Sequence, residues 1–217
     1  MNAVRLAPAG ALIALALACA RNDAPDATPI GDDGQLVTRP VVDLACVPSG
    51  NMPVEGRQSP PYDSVTVDVE GQVLRICYGR PSAQGREIFG GLVPYATLWR
   101  TGANEPTILH LPFDAEIAGL RVPPGSYSIY TVPQASGEWE LIINRSTSQW
   151  GHPGSYTDEV RAQELGRAPI RTERMDQAVE TFTIRGEPAA GGADLLLEWE
   201  RTRARIPVRV LPGDGSV

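Results

Sequence analysis

The segment SVTVDVEGQVLRICYG, residues 64–79, decides the fold class. Its first half alternates between apolar and polar residues, so that Val65, Val67 and Val69 point to one side, as in a half-buried β-strand. The dipeptide Glu70-Gly71 then forms a turn into a second strand-like run. The segment therefore predicts a β-hairpin with one face on a core.

Short strand-like runs continue to the end of the chain, separated by turns rich in glycine and proline. A single short helix is predicted over residues 158–165, because Thr157 is a good N-cap and Gly166 a good terminator. The pattern predicts an all-β fold, an antiparallel β-sandwich or jelly-roll-like barrel of about nine to ten strands with one short helix. The later strands are expected at residues 107–111, 115–118, 127–132, 139–144, 170–173, 180–185, 193–200 and 203–210.

Charged residues alternate with apolar ones along the last two predicted strands. Glu198 and Glu200 fall on one strand face, about 7 Å apart by strand rise. We expect them to face solvent and to pair across strands with Arg203, Arg205 and Arg209 if the two strands are neighbours. Two carboxylates so placed also suit acid–base chemistry on glycosides, so catalysis stays open, although the sequence favours a domain without it.

The first 18 residues have the pattern of a lipoprotein signal peptide. Arg5 precedes a short apolar run, residues 11–18, which cannot span a bilayer of about 30 Å. The sequence Ala16-Leu17-Ala18 before Cys19 resembles a bacterial lipobox, which implies cleavage before Cys19 and lipidation of that residue. An ordinary secretory signal beside a chance cysteine is the alternative. We expect a lipid-anchored protein of the cell envelope, at the outer membrane or periplasmic face, held to the membrane by its N-terminal lipid.

Residues 19–58 are rich in proline, glycine and aspartate and lack apolar periodicity. Such a composition buries too little surface to offset chain entropy, so these residues are predicted to form a flexible tether. The folded domain is predicted at residues 59–211, and residues 212–217 form a short tail.

Two cysteines remain after Cys19. Cys46 lies in the predicted tether, and Cys77 lies in the second strand of the hairpin. Leu74 and Ile76 share the core face of that strand, so Cys77 points to the opposite face, where the tether can reach it. An exported protein can carry a Cys46–Cys77 disulfide, and two unpaired thiols remain the alternative.

Composition excludes several kinds of chemistry. The chain of 217 residues has a formal net charge of −7, so it lacks the cationic field of a nucleic-acid-binding protein, and no nucleic acid partner is expected. All 19 basic residues are arginine, which excludes a lysine nucleophile. His110 and His152 each lack a second ligand at metal-binding spacing, so we expect no metal site and no cofactor.

The long connection at residues 80–105 holds the candidate ligand-binding residues. Arginine forks and aromatic rings there suit recognition of carboxylates, phosphates or sugar hydroxyls. The alternative is structural, because a long loop has many backbone carbonyls and arginine has five donors to offer them. The candidates are Arg80, Arg86, Tyr95, Trp99, Arg100, Asn104 and Glu105.

Five aromatic residues elsewhere allow two interpretations. They could form a stacking platform for sugars, or they could belong to the core, which is the usual place for aromatics at alternating strand positions. These residues are Tyr127, Tyr130, Trp139, Trp150 and Tyr156.

Several motifs occur together in chain order. They are GRPSAQGREIFGGLVPYATLWRTGANE at 79–105, PPGSYSIYTVP at 123–133, EWELIINRSTSQWG at 138–151 and LLLEWERTRARIPV at 195–208. Together they resemble the bacterial exported domain of unknown function 2911, over about residues 59–210. The resemblance implies export and a β-rich fold, and the family has no settled activity.

The sequence thus favours a lipid-anchored envelope domain that binds a small polar ligand, a glycan or an envelope protein without catalysis. The alternatives are an envelope hydrolase acting on glycans or lipids, and a purely structural envelope module.

Overall fold

The structure is a computed structural model that describes residues 42–46, 62–151 and 153–212. The predicted signal peptide, the lipidation site Cys19, most of the tether, His152 and nearly all of the tail lie outside these residues. All described residues fall in one compact unit, Thr38–Val217.

Strands account for most of the described chain, which confirms the all-β prediction. A 3-10 turn, Pro153–Ser155, and a four-residue helix, α1 (Asp158–Arg161), are the helical elements of the described residues. The strands are β1 (Tyr62–Val69), β2 (Gln72–Gly79), β3 (Thr107–Leu111), β4 (Ala115–Ile117), β5 (Leu120–Val122), β6 (Gly125–Val132), β7 (Glu138–Asn144), β8 (Glu164–Ala189) and β9 (Gly192–Val210).

The nine strands pair in the order β1-β2-β3-β6-β7-β8-β9-β4-β5, and every pair is antiparallel. The predicted β1–β2 hairpin is present, with Val69 opposite Gln72. Its turn residues Glu70 and Gly71 have φ angles of 54° and 81°, the left-handed conformation that two-residue hairpin turns require.

The C-terminal region differs from the prediction of four short strands. Residues 170–173 and 180–185 belong to the single strand β8, and residues 193–200 and 203–210 belong to β9. The β8–β9 register shifts twice between Arg174 and Thr183, and Glu200 has a φ of 51°. Because bulges bend a strand without ending it, one long bent hairpin replaces two straight ones.

The second half of this hairpin packs over β1 and β2, which makes the fold sandwich-like. The backbone amide of Ile184 donates to the Tyr78 hydroxyl at 2.9 Å. Gly186 sits against Val67 so closely that a Cβ there would lie 2.4 Å from a valine methyl carbon. The main core lies between these layers and includes Leu74, Leu109, Leu141, Phe182, Leu195, Trp199 and Ile206.

A second, smaller core lies on the opposite face of β6 and β7. It contains Tyr130, Ile142, Tyr156 and Val160, with Leu98 packed against them. The helix α1 covers this face and is shorter than the predicted helix 158–165. Thr157 caps it as expected, because its side chain accepts from the Val160 amide, but Gly166 lies inside β8, where strand pairing with β7 ends the helix early.

Residues 42–46, inside the predicted tether, lie against the outer face of β2. Arg75 donates from Nη1 to the Leu44 carbonyl at 3.2 Å. Cys46 is joined to Cys77, with 5.6 Å between their Cα atoms, within the range that a disulfide spans. Among the described residues, no helix is long and apolar enough to cross a membrane.

Candidate functional site

The connection between β2 and β3, residues 80–106, is anchored at its start to the middle of β8. The Ala83 amide donates to the Glu180 carbonyl, and the Phe182 amide donates to the Pro81 carbonyl, both at 2.8 Å. These bonds fix the loop to the bent hairpin, so the two elements form one rigid surface.

Two of the candidate arginines serve this anchorage. Arg80 donates to the Phe182 carbonyl at 3.2 Å and to the Asp63 carboxylate at 2.8 Å. Arg86 donates to the carbonyls of Ser82 and Ala83 at 2.7 and 2.9 Å. Their guanidinium groups are therefore occupied by the protein itself, as the structural interpretation requires.

Trp99, Arg100 and Asn104 form the end of the connection. The Trp99 indole is buried and donates to the Gly102 carbonyl at 3.0 Å. Arg100 donates from Nη1 to the Asn104 carbonyl at 2.9 Å. Burial lowers the pKa of Arg100 below its usual value, although the nearby Tyr130 and Glu105 oppose this shift. The Glu105 carboxylate is fully buried, so it offers nothing to an external ligand.

Most of the middle of the connection, residues 92–98, is exposed, although Val93 is buried and Leu98 is half-buried. Leu92 and Tyr95 are 46% and 41% exposed, and Val73 is the third large hydrophobic residue exposed among those described. Two exposed apolar side chains three residues apart on a structured loop make this segment a candidate interaction surface. We call residues 92–98 the exposed loop.

The exposed loop is held rigidly despite its position. The Leu92 amide donates to the Glu87 carbonyl at 3.0 Å, and the Ala96 amide donates to the Pro133 carbonyl at 2.8 Å. The Tyr95 ring lies over Gly90, where a Cβ would come within 2.7 Å of ring atom Cε2. Gly90 also has a φ of 96°, so glycine alone suits both the backbone and the ring contact.

Three cavities border the exposed loop. The Tyr95 pocket, about 190 Å³, lies between Tyr95 and the β8–β9 hairpin. A cavity of about 110 Å³ is lined by Leu92, Leu98, Trp99 and Arg100. A third, of about 290 Å³, is lined by Ala96, Leu98, Tyr156 and Arg161. Arg80, Arg86, Asn104 and Glu105 line none of these three.

The structure therefore splits the predicted site. Tyr95 borders one pocket, Trp99 and Arg100 border another, and the other four candidates hold the loop. Sequence reasoning missed Gln134 and Arg174, which line the Tyr95 pocket from other elements. No local sequence pattern identifies these two residues as part of the site. Arg174 lies 79 positions after Tyr95 in the sequence, and the fold of β8 brings it to the pocket.

The interpretation of the five other aromatics as core holds for four of them. Tyr127, Tyr130, Trp139 and Tyr156 are buried, and Trp150 is half-buried. A sugar platform made of these five residues is therefore not present in the described structure.

The expectation that Glu198 faces solvent is wrong. Its carboxylate is buried and accepts from Arg185 at 3.0 Å and from Arg203 at 2.6 Å. Burial by itself would raise the pKa of Glu198, but these bonds outweigh it and the pKa lies below its usual value. Glu200 does not share this environment, because the backbone turns at that residue.

The described residues contain no group of three or more histidines, cysteines, aspartates and glutamates that could hold a metal ion. Fold and loop together define a small antiparallel β-domain with a rigid, exposed candidate binding surface.

Residues 60–208 match the family described as protein of unknown function (DUF2911), and the chain belongs to that family. Comparisons with curated proteins and with solved structures gave no match.

Proposed function

We propose that this protein is a lipid-anchored domain of the cell envelope that binds a ligand, without catalysis, through the exposed loop. The observation that carries the proposal is the coincidence of two features at residues 92–98. The loop presents Leu92 and Tyr95 to solvent, and it borders three cavities. Concave sites with apolar walls and a few polar groups are the usual places for ligands.

The rigidity of the exposed loop supports a binding function and not exposure alone. The backbone hydrogen bonds of Leu92 and Ala96 and the contact of Tyr95 with Gly90 hold the surface in one conformation. A preorganised surface loses little conformational entropy when a partner binds, so more of the contact energy appears as affinity.

The two alternatives have narrower support. The structural module is favoured by Arg80, Arg86 and Arg100, all of which donate to backbone carbonyls. The hydrolase has less support, because two arginines engage the Glu198 carboxylate and the backbone turns at Glu200, the second acid of the predicted pair.

A thermal-shift screen of sugars, nucleotides and carboxylates tests the proposal. A ligand that binds the native state raises the melting temperature, by mass action. We expect at least one compound class to do so in the wild-type domain and to lose the effect in a Leu92→Ser/Tyr95→Ser variant.

The matched control is Val73→Ser, which removes the third exposed hydrophobic side chain, on β2 outside the three cavities. The control should keep the full shift. A ligand whose shift survives in the loop variant binds elsewhere and contradicts the proposal.

The membrane anchor has a separate test. Lipidation at Cys19 predicts that a Cys19→Ser variant leaves the membrane fraction, because one residue carries the attachment. Intact-mass analysis of the mature protein should give a lipidated N-terminal Cys19. An unmodified cysteine, or a mature chain that begins beyond it, contradicts the anchor while leaving the binding proposal intact.

A further inference from the structure

We infer that the Tyr95 pocket binds a saccharide that carries a carboxylate group. This inference rests on the proposed function and names the class of ligand for one of the three cavities. The pocket lies between the exposed loop and the β8–β9 hairpin and combines an aromatic ring with an amide and two arginines.

The Tyr95 ring supplies the surface on which a sugar ring would pack. It is 41% exposed, and its contact with Gly90 fixes the direction of the ring. One face of a sugar ring carries mainly C–H groups, and an aromatic ring offers a flat apolar surface for them while the tyrosine hydroxyl stays hydrated. The buried Phe89 and Trp139 line the same pocket behind this ring.

Polar groups around the ring suit hydroxyl recognition. In the described part of the chain, the side-chain amide of Gln134 and the hydroxyl of Thr202 make no hydrogen bond with other residues, although both line the pocket. An amide offers two donors and one acceptor oxygen, and a hydroxyl both donates and accepts. Sugar hydroxyls need this mixture of donors and acceptors.

Charge favours an acidic sugar over a neutral one. Across residues 62–151 and 153–212, the Arg174 guanidinium has no ion pair or hydrogen bond, and Arg201 donates to the backbone carbonyl of Asp176. The one carboxylate of the pocket, Glu173, already accepts from Arg203 at 2.9 Å. The Arg174 guanidinium is therefore unpaired among the described residues, although the protein as a whole has a net charge of −7. A carboxylate is the group that a guanidinium binds best, through two parallel hydrogen bonds.

The pocket has room for one sugar ring, and a neighbouring groove extends it to the length of an oligosaccharide. At about 190 Å³ the pocket is smaller than the usual range for drug-sized ligands, about 300–1,000 Å³, so it takes a single ring. A neighbouring groove of about 280 Å³ shares Gln134 and Trp139 with it and continues along β7 past Glu138 and Pro169. Further sugar units would lie in that groove.

Isothermal titration calorimetry with two probes tests the inference. The probes are galacturonic acid trisaccharide and neutral maltotriose, which have the same length and differ in the carboxylates. We expect the acidic trisaccharide to bind at least ten-fold more tightly than maltotriose, with an affinity that falls as salt rises.

Four variants assign the site. Tyr95→Ala and Arg174→Gln should each weaken binding of the acidic trisaccharide at least ten-fold, whereas Tyr95→Phe should bind it like the wild type. Gly90→Ala should weaken it too, because the added methyl group would displace the Tyr95 ring. The control Arg145→Gln removes another exposed arginine, which lines none of the cavities described above, and should change nothing. Arg174 and Tyr95 are exposed, so their variants should fold normally.

The outcomes separate this inference from the proposed function. Equal affinity for both trisaccharides, or unchanged binding in Arg174→Gln, overturns the carboxylate assignment. Failure of both trisaccharides to bind, while another compound shifts the melting temperature through Leu92 and Tyr95, overturns the saccharide inference and leaves the binding function standing.

Discussion

Arg100 and Arg86 both donate hydrogen bonds to backbone carbonyls, but the two side chains differ in burial. Arg100 is half-buried and donates to the Asn104 carbonyl beside the closely packed Gly151. Arg86 is exposed and donates to the carbonyls of Ser82 and Ala83, and the Ala83 carbonyl also accepts from the Arg86 backbone amide at 3.1 Å. Removal of a donor costs most where water cannot replace it.

The substitution Arg100→Ala should therefore lower the free energy of unfolding by about 1–3 kcal/mol. Arg100→Lys should not restore it, because an ammonium group cannot reproduce the planar fork. The matched control, Arg86→Ala, should stay within about 0.5 kcal/mol of the wild type. The Ala83 carbonyl keeps its bond from the backbone amide of residue 86, and the bond to the Ser82 carbonyl is exposed, so water can replace it. Urea unfolding of the three variants measures this, and an unchanged midpoint for Arg100→Ala would move Arg100 from the scaffold to the binding surface.

The β8–β9 hairpin is held across its bend by charged side chains. Glu198 of β9 accepts from Arg185 of β8 and from Arg203, which follows the bend in its own strand. Arg203 also donates to Glu173 at 2.9 Å, on the other half of β8. Glu198 therefore links the two halves of the bent hairpin.

The substitution Glu198→Gln should lower the free energy of unfolding at pH 7 by about 1–3 kcal/mol. This is the range for the loss of a hydrogen bond to a charged group and for a buried polar group left without its partner. The lowered pKa of Glu198 fixes the pH dependence. Between the two pKa values the carboxylate is ionised in the native state and protonated in the unfolded state. The stabilisation of the native state by the Glu198 charge is therefore complete above the usual glutamate pKa of about 4.3, and it is lost as pH falls towards the native pKa.

Urea unfolding at pH 7 and pH 3 should accordingly show a gap between wild type and Glu198→Gln that narrows at low pH. Glu138→Gln, at an exposed position at the start of β7, is the control and should match the wild type at both values. A gap of equal size at pH 7 and pH 3 would mean that the charge of Glu198 does not stabilise the bend.

The sequence correctly predicted the strands whose pairing is determined by residues close to them in the chain. The β1–β2 hairpin and β3 have the expected positions, because alternation and a two-residue turn specify them. The β8–β9 bend was not predictable in this way. Residues 174–183 lack clean alternation, and their strand state depends on pairing with distant residues, such as Ser82 with Thr181.

The candidate site was predictable only as a segment. Composition indicated residues 80–105 as the candidate segment, but it did not separate Tyr95, which is exposed, from Trp99, which is buried four residues later. That distinction arises from packing against Trp199, whose ring centroid lies 5.9 Å from that of Trp99. Burial of this kind depends on the whole fold.

At the scale of the whole molecule, the Cys46–Cys77 link attaches the predicted tether to the domain at a point 12 residues before the tether's expected end. It closes a loop of 31 residues, and the chain-entropy account gives such a loop about 3–4 kcal/mol of stabilisation. Cys46→Ser should lose this amount, since Cys46 lies outside the core.

The measurement is urea unfolding with and without reductant, together with thiol counting on protein prepared under oxidising conditions. Reductant should lower the midpoint of the wild type and leave that of Cys46→Ser unchanged, which is the internal control. Free thiols at both Cys46 and Cys77 in this protein after unfolding would show that the bridge does not form.

The central claim is that ligands bind at the exposed loop. Hydrogen–deuterium exchange of the wild-type domain, with and without the compound that raises the melting temperature most, tests it directly. We predict slower exchange at residues 89–100, with any further protection limited to the cavity walls at 132–140, 153–161, 167–174 and 201–202. Protection confined to the β1–β2 hairpin, or no protection anywhere in the presence of a stabilising compound, would contradict it.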